Sequence, residues 1–289
     1  MANRFYRAIC FDLDGTLLPM ELDGFMQAYF QSLGAYVARF GVAPQDFSAG
    51  MKAGIKAMAA HDDARPNSDA FWEGFLACVD RGAADWEGEL AAYYDREFGA
   101  IGNGVIPSPA AARAVNTLAA KGYPLALTTM PMFPRRAVEW RLEWAGVDPA
   151  LFSRITSFEN STSVKPKLAY YAENLAALGV SGNDVLMVGN NTKEDLAFMG
   201  LGADAFLVTD LLLDPIGFDV SSVRNGTLEA FADWAESLPV CADPATGIEA
   251  GLVSMAARDE ALASNGCPDA LAADAAVSAA GFSINGVEG

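Results

Sequence analysis

Cys10-Phe11-Asp12-Leu13-Asp14-Gly15-Thr16-Leu17 closes the apolar run Ala8–Phe11, and its reading decides how the rest of the chain is read. Four apolar residues in a row suit a strand buried on both faces, as in a parallel sheet under helices. Two carboxylates, Asp12 and Asp14, then stand two residues apart just past the carboxyl end of that strand. In open α/β sheets ligands bind at that end. Gly15 reaches backbone angles closed to other residues, so the chain can turn sharply there. An acid so placed can attack an electrophile, and a second beside it can move a proton on and off a leaving oxygen. Two acids can also end a strand with no chemistry attached. The apolar run immediately before this pair argues against that.

Four further apolar runs lie at residues 125–128, 154–157, 185–188 and 205–208, with helical spacings near 135–145, 166–178 and 193–199 between them. This alternation predicts an α/β protein: a Rossmann-like parallel sheet core with helices on both faces. More than a hundred residues separate the first run from the second, and much of that gap reads as helix. Phe25, Tyr29, Leu33, Val37 and Phe40 recur at three- to four-residue spacing, and similar patterns follow near 44–60, 68–80 and 86–98. The expected organisation is a core of residues 1–19 and 106–240, with an α-helical cap, 20–105, inserted between Pro19 and Pro107. From Cys241 the composition turns to Ala, Gly and Ser. This acidic tail, 241–289, has helix-like patches near 247–263 and 268–279.

The formal net charge is -18, from 37 acidic and 19 basic residues. A field of that sign repels nucleic acid and anionic membranes, so neither is expected as a partner. A small phosphorylated substrate remains compatible, provided positive charge meets it locally. No run of about twenty apolar residues could span a bilayer. The start of the sequence lacks the long apolar segment of an export signal. Cys10, Cys78, Cys241 and Cys267 have no metal-ligand spacing and read as reduced thiols, so a cytoplasmic location is expected. His61 is the only histidine, which excludes a multi-histidine metal site.

The opening stretch resembles the haloacid dehalogenase superfamily, whose first motif is hhhDxDGTL. The resemblance implies that Asp12 is the nucleophile and Asp14 the general acid/base. Asp14 also favours phosphate chemistry over carbon–halogen cleavage, since dehalogenases lack that second acid. The family's second motif is a strand ending in a hydroxyl that binds the phosphoryl group. Leu125-Ala126-Leu127-Thr128-Thr129-Met130 stands in that place, and alignment with a subgroup reading LATNPxFP selects Thr129. Met130 replaces the subgroup's Asn. The third motif is a lysine that neutralises charge at the phosphoryl group, matched by Lys165 before Pro166.

The fourth motif follows the run at 185–188 as Gly189-Asn190-Asn191-Thr192-Lys193-Glu194-Asp195. Family members place a magnesium-binding Asp here, with a second acid a few residues later. The spacing GNDxxED selects Asn191 and Asp195, whereas GDxxxD selects Asn190 and Glu194. Either way, Asn stands where the family has Asp. An amide oxygen can ligate a hard cation, but without charge. At about 2.1 Å and an effective dielectric near 20, the missing charge removes roughly 8 kcal/mol of gross attraction. Much of this is offset by the amide's smaller desolvation cost.

The resemblance therefore implies a phosphatase acting through an aspartyl-phosphate on a small phosphorylated metabolite. Mg²⁺ would be held by Asp12, the Asp14 carbonyl and the loop carrying Asn190, Asn191 and Asp195. The alternative is a catalytically impaired member of the fold that binds a phosphorylated ligand or a protein partner. A receiver-type signalling domain is disfavoured by the large insertion. Within the cap, His61 is expected to be solvated or packed in the cap, and the aromatics Phe71, Trp72, Trp86, Tyr93 and Tyr94 to fill a helical core. Arg135 and Arg136 could face an anionic substrate or simply open a solvated helix.

Overall fold

The computed structural model describes residues 5–266. Strands β1 (Ala8–Phe11), β2 (Leu125–Leu127), β3 (Phe152–Ile155), β4 (Val185–Gly189), β5 (Asp204–Val208) and β6 (Arg224–Gly226) form one sheet. Their order is β3-β2-β1-β4-β5-β6 and every pairing is parallel. The strand that carries the two acids is therefore central, between β2 and β4. β6 escapes a search for apolar runs because its residues are exposed or half-buried. It lies at the sheet edge, held by its pairing with β5 rather than by burial. β3 runs from Phe152 to Ile155, two residues ahead of the expected 154–157.

Between β1 and the next strand come α1 (Leu22–Val37), α2 (Pro44–Ala60), α3 (Asn67–Leu76) and α4 (Trp86–Arg96), then a 3-10 turn at Phe98–Gly102. Phe25, Tyr29, Leu33 and Val37 form the buried stripe of α1 and meet Phe47, Phe75, Trp86, Tyr93 and Phe98 in a core of their own. The α2–α3 contact is close enough to need a missing side chain: a Cβ on Gly74 would lie 2.7 Å from Ala53 O. This helical unit is stitched to loops at the carboxyl ends of β2 and β3. Asn67 N donates to Ser161 O and Ser68 N to Phe158 O, both at 2.8 Å. The fully buried Asn67 amide donates to Pro131 O and Ser163 O, both at 3.1 Å, and its oxygen accepts His61 Nε2–H at 2.7 Å.

The remaining helices are α5 (Pro109–Ala120), α6 (Arg135–Trp144), α7 (Leu168–Leu178), α8 (Leu228–Ser237) and α9 (Met255–Asn265). Side chains along β1 alternate between faces. Ile9 and Phe11 join α5 and α8 in one cluster, while Ala8 and Cys10 join Tyr170, Tyr171 and Leu175 of α7 in another. Helices thus cover both faces. The helical spacing near 193–199 proves to be a 3-10 helix, Leu196–Leu201, ended by Gly202 in a left-handed conformation.

Residues 241–266 cross the core as a strap. Ala245 N bonds Arg7 O at 3.0 Å and Glu249 N bonds Ala177 O at 2.9 Å. The buried Arg154 donates to Glu249 O and Gly251 O, and α9 then packs on α7. The second expected tail helix, 268–279, and Cys267 lie outside the described residues. Among the described residues no helix is long and apolar enough to cross a membrane.

Candidate active site

Asp12 continues the line of β1. Its amide donates to Val188 O of β4 at 2.8 Å, so its carboxylate leaves the sheet at the end of the central strand. The chain then turns back: Leu18 N donates to Leu13 O and Gly15 N to Leu18 O, each at 2.9 Å. Gly15 has φ +79°, a left-handed conformation, and a Cβ there would collide with Asn190 Nδ2.

Lys165 reaches this point from the loop before α7. Its Nζ donates to Asp12 Oδ1 at 2.8 Å and to Asp195 Oδ1 at 2.5 Å, while Asp195 Oδ2 accepts Asn191 N–H at 2.9 Å. All three side chains are buried. Burial alone would lower the Lys165 ammonium, but Asp12 and Asp195 outweigh it and hold it well above its ordinary value. Burial pushes the Asp195 carboxyl upward, against the pull of Lys165 and with Asp12 adding to the rise. One cation serves two carboxylates.

Asp14 has a different partner. Arg141 Nη1 donates to Asp14 Oδ2 at 2.5 Å, and the arginine side chain is 2% exposed. Burial raises the Asp14 carboxyl, the guanidinium opposes it, and Asp12 adds to the rise; the net direction is upward. The Arg141 guanidinium also lies over the Phe133 ring, 4.6 Å from its centroid. Asp14 Oδ1 and Arg141 Nη2 are the two buried side-chain atoms without a hydrogen-bond partner among the described residues.

Thr129 is buried at the end of β2. Its carbonyl is fixed by Tyr170 Oη–H at 2.7 Å and by Thr156 Oγ1–H at 3.1 Å. Thr128 turns the other way and donates to Phe11 O. Asp12, Asp14, Thr129, Lys165, Asn190, Asn191 and Asp195 all line one cavity of about 2160 Å³ between the sheet and the inserted helices.

The two spacings left open at the fourth motif differ in what their first residue does. Asn191 Oδ1 accepts the amides of Lys193 (3.0 Å) and Glu194 (3.1 Å), so the residue selected by the GNDxxED spacing caps its own loop. Asn190 is the one beside Asp12, with Nδ2 donating to Leu211 O and Oδ1 within 3.2 Å of Thr16 Oγ1. Asp195, expected as a ligand, has both oxygens engaged by Lys165 and the Asn191 amide.

Thr16 Oγ1 also lies 3.1 Å from Asp12 Oδ2. A hydroxyl has one proton, so Asp12 Oδ2 and Asn190 Oδ1 cannot both be satisfied by it, and one oxygen acceptor is left over. Two hard oxygen donors converging with an acceptor to spare suit Mg²⁺ in kind. They bring one carboxylate between them. Among the described residues there is no group of three His, Cys, Asp or Glu side chains that could hold a metal ion.

Arg141 is the residue that motif reading missed. Arg135 and Arg136, the arginines singled out from the sequence, pair instead with Glu139, Glu143 and Asp95 at the half-exposed start of α6. The available signal was helical phase: Arg141 shares the buried stripe of α6 with Ala137, Val138 and Leu142.

A family model for haloacid dehalogenase-like hydrolases matches residues 6–200. The chain belongs to that family of hydrolases. No curated protein matches the sequence. Among solved structures, CbbY from Rhodobacter sphaeroides in complex with phosphate is 17% identical. That match covers 79% of this chain and 100% of the other, with a TM-score of 0.50. A predicted phosphoglycolate phosphatase from Haemophilus somnus 129pt is also 17% identical, covering 81% of this chain and 99% of the other, with a TM-score of 0.49. The HAD phosphatase from Thermococcus onnurineus is 18% identical, covering 84% and 99%, with a TM-score of 0.48. At these identities the likeness is one of fold.

Proposed function

We propose that the protein hydrolyses phosphate monoesters of small molecules through an aspartyl-phosphate at Asp12. The observation that carries this reading is the buried Lys165–Asp12 ion pair, two residues from a carboxyl, Asp14, that its surroundings push upward. An Asp12 carboxylate oxygen bonds to phosphorus as the ester P–O bond breaks. Asp14 gives its proton to the departing oxygen, then takes one from the water that attacks the phosphoenzyme. Phosphate leaves and the Asp12 carboxylate returns. Lys165 neutralises charge on the phosphoryl oxygens, and the Thr129 hydroxyl binds one of them. Arg141 holds the Asp14 carboxyl in place. Mg²⁺, bound by the side-chain oxygens of Asp12 and Asn190, would supply further positive charge beside the phosphoryl group.

A second reading is a protein of this family that binds phosphorylated ligands without turnover. The neutral Asn190 and Asn191 at the fourth motif favour it. Phosphate release from p-nitrophenyl phosphate, with and without Mg²⁺, separates the two. Turnover that Asp12→Asn abolishes supports hydrolysis, whereas binding without turnover in either condition supports the second reading. The free cysteines Cys10, Cys78 and Cys241 support a cytoplasmic location.

A further inference from the structure

The active-site cavity is about 2160 Å³, well beyond the roughly 300–1,000 Å³ of an ordinary small-molecule pocket. Its lining is of two kinds. The ends of the strands and the loops beside them bring Asp12, Asp14, Lys165 and Asn190. The inserted helices and the loop after β2 bring Met26, Phe30, Ile55, Trp72, Met132 and Phe133. Each of these is half-buried, packed on one side against the apolar core of the helical unit. Trp72 thus does more than the core filling that its spacing suggested, unlike the fully buried Tyr93. The polar residues around the chamber include Glu21, Asp23, Asp69, Glu87, Glu159 and Asp214, against Lys56, Lys167 and Lys193. A second phosphate or carboxylate on the substrate would meet more negative than positive charge there.

We infer that the substrate is a phosphate monoester of a large, uncharged, aromatic alcohol, its rings seated among Phe30, Trp72 and Phe133 while the phosphoryl group meets Asp12 and Lys165. This rests on the hydrolytic reading above and names the substrate class for it. Flat rings suit these walls. Aromatic side chains take edge or offset ring contacts, and the thioethers of Met26 and Met132 adapt to either. The Arg141–Asp14 pair lines the same cavity with Phe133 over the guanidinium, so the polar and apolar parts of the lining adjoin there.

The test compares kcat/KM for 1-naphthyl phosphate, glycerol 2-phosphate and fructose 1,6-bisphosphate. Burying a naphthyl group leads us to expect a preference of at least about tenfold over the other two. Trp72→Ala and Phe30→Ala should raise KM for the naphthyl ester far more than for glycerol 2-phosphate, collapsing the ratio toward one. Equal turnover of the three esters, or a preference for the bisphosphate, overturns the inference. Calorimetry of 1-naphthyl phosphate with the Asp12→Asn variant reads the chamber apart from catalysis. Binding weakened about tenfold by adding Trp72→Ala supports the assignment even if no ester is hydrolysed, and no binding refutes it.

Discussion

The two acids of the opening stretch are two residues apart, yet they belong to differently built halves of the site. Around Asp12 the charges are paired: Lys165 bridges Asp12 and Asp195, and Asp195 is completed by a backbone amide. Around Asp14 the single cation is Arg141, and one atom on each side of that pair lacks a partner. The first arrangement holds in place the carboxylate we propose as nucleophile. The second leaves buried polar atoms unpaired beside the carboxyl we propose as general acid/base. A fully satisfied network rigidifies, and a partly satisfied one carries a desolvation cost that binding can relieve.

That contrast can be broken most forcefully at Lys165. Lys165→Met leaves two carboxylates buried beside each other, so stability should fall by about 3–5 kcal/mol at neutral pH, read by urea denaturation. Lys165 opposes the upward push of burial on the Asp195 carboxyl, so without the cation Asp195 binds its proton more readily when folded and the deficit should shrink as pH falls. A deficit independent of pH would mean the lysine contributes packing rather than charge. Next in size is Asp14→Asn, expected to lower kcat by about 10²–10⁴ while phosphate affinity survives, because proton transfer alone is lost. Near-normal kcat would move the acid/base role elsewhere.

Arg141→Met sharpens the comparison. The guanidinium opposes the upward shift of Asp14, so its removal should raise that carboxyl further. The limb of the pH–rate profile that needs protonated Asp14 should then move to higher pH. Arg141→Lys, which keeps the charge, should move it less. Smaller effects are expected at the two asparagines of the fourth motif. Asn190→Asp removes the bond to Leu211 O and adds charge beside Asp12, so the metal-free protein should melt lower. Mg²⁺ should restore the loss, with affinity at least about tenfold tighter. Asn191→Asp should do less, because its oxygen already caps the loop. The reverse order, in calorimetry and melting, would put Asn191 at the cation.

How far the sequence reveals this site follows the same divide. Asp12 is legible because it directly follows a buried strand, whereas Lys165 and Asp195 are picked out by the family resemblance, and their bond to each other is not. The strands themselves are legible, apart from polar β6, whose pairing leaves no hydrophobic trace. Arg141 is hidden among the charged residues of α6, because its burial depends on how that helix is rotated against Phe25 and Phe133. The register of the fourth motif is hidden for another reason. Two adjacent Asn residues are equivalent as letters, and only the turn of the loop decides which faces Asp12.

Asn67 has a mechanical meaning beyond its hydrogen bonds. Its one side chain ties the first turn of α3 to the loops following both β2 and β3, and His61 locks its orientation. The first turn of α3 is therefore pinned to the core beside the Lys165 loop, a second anchor besides α1, whose Phe25 packs on Phe133 and Trp144. Trp72, within two turns of that pin, belongs to a chamber wall that is tied down at the chemical end of the site.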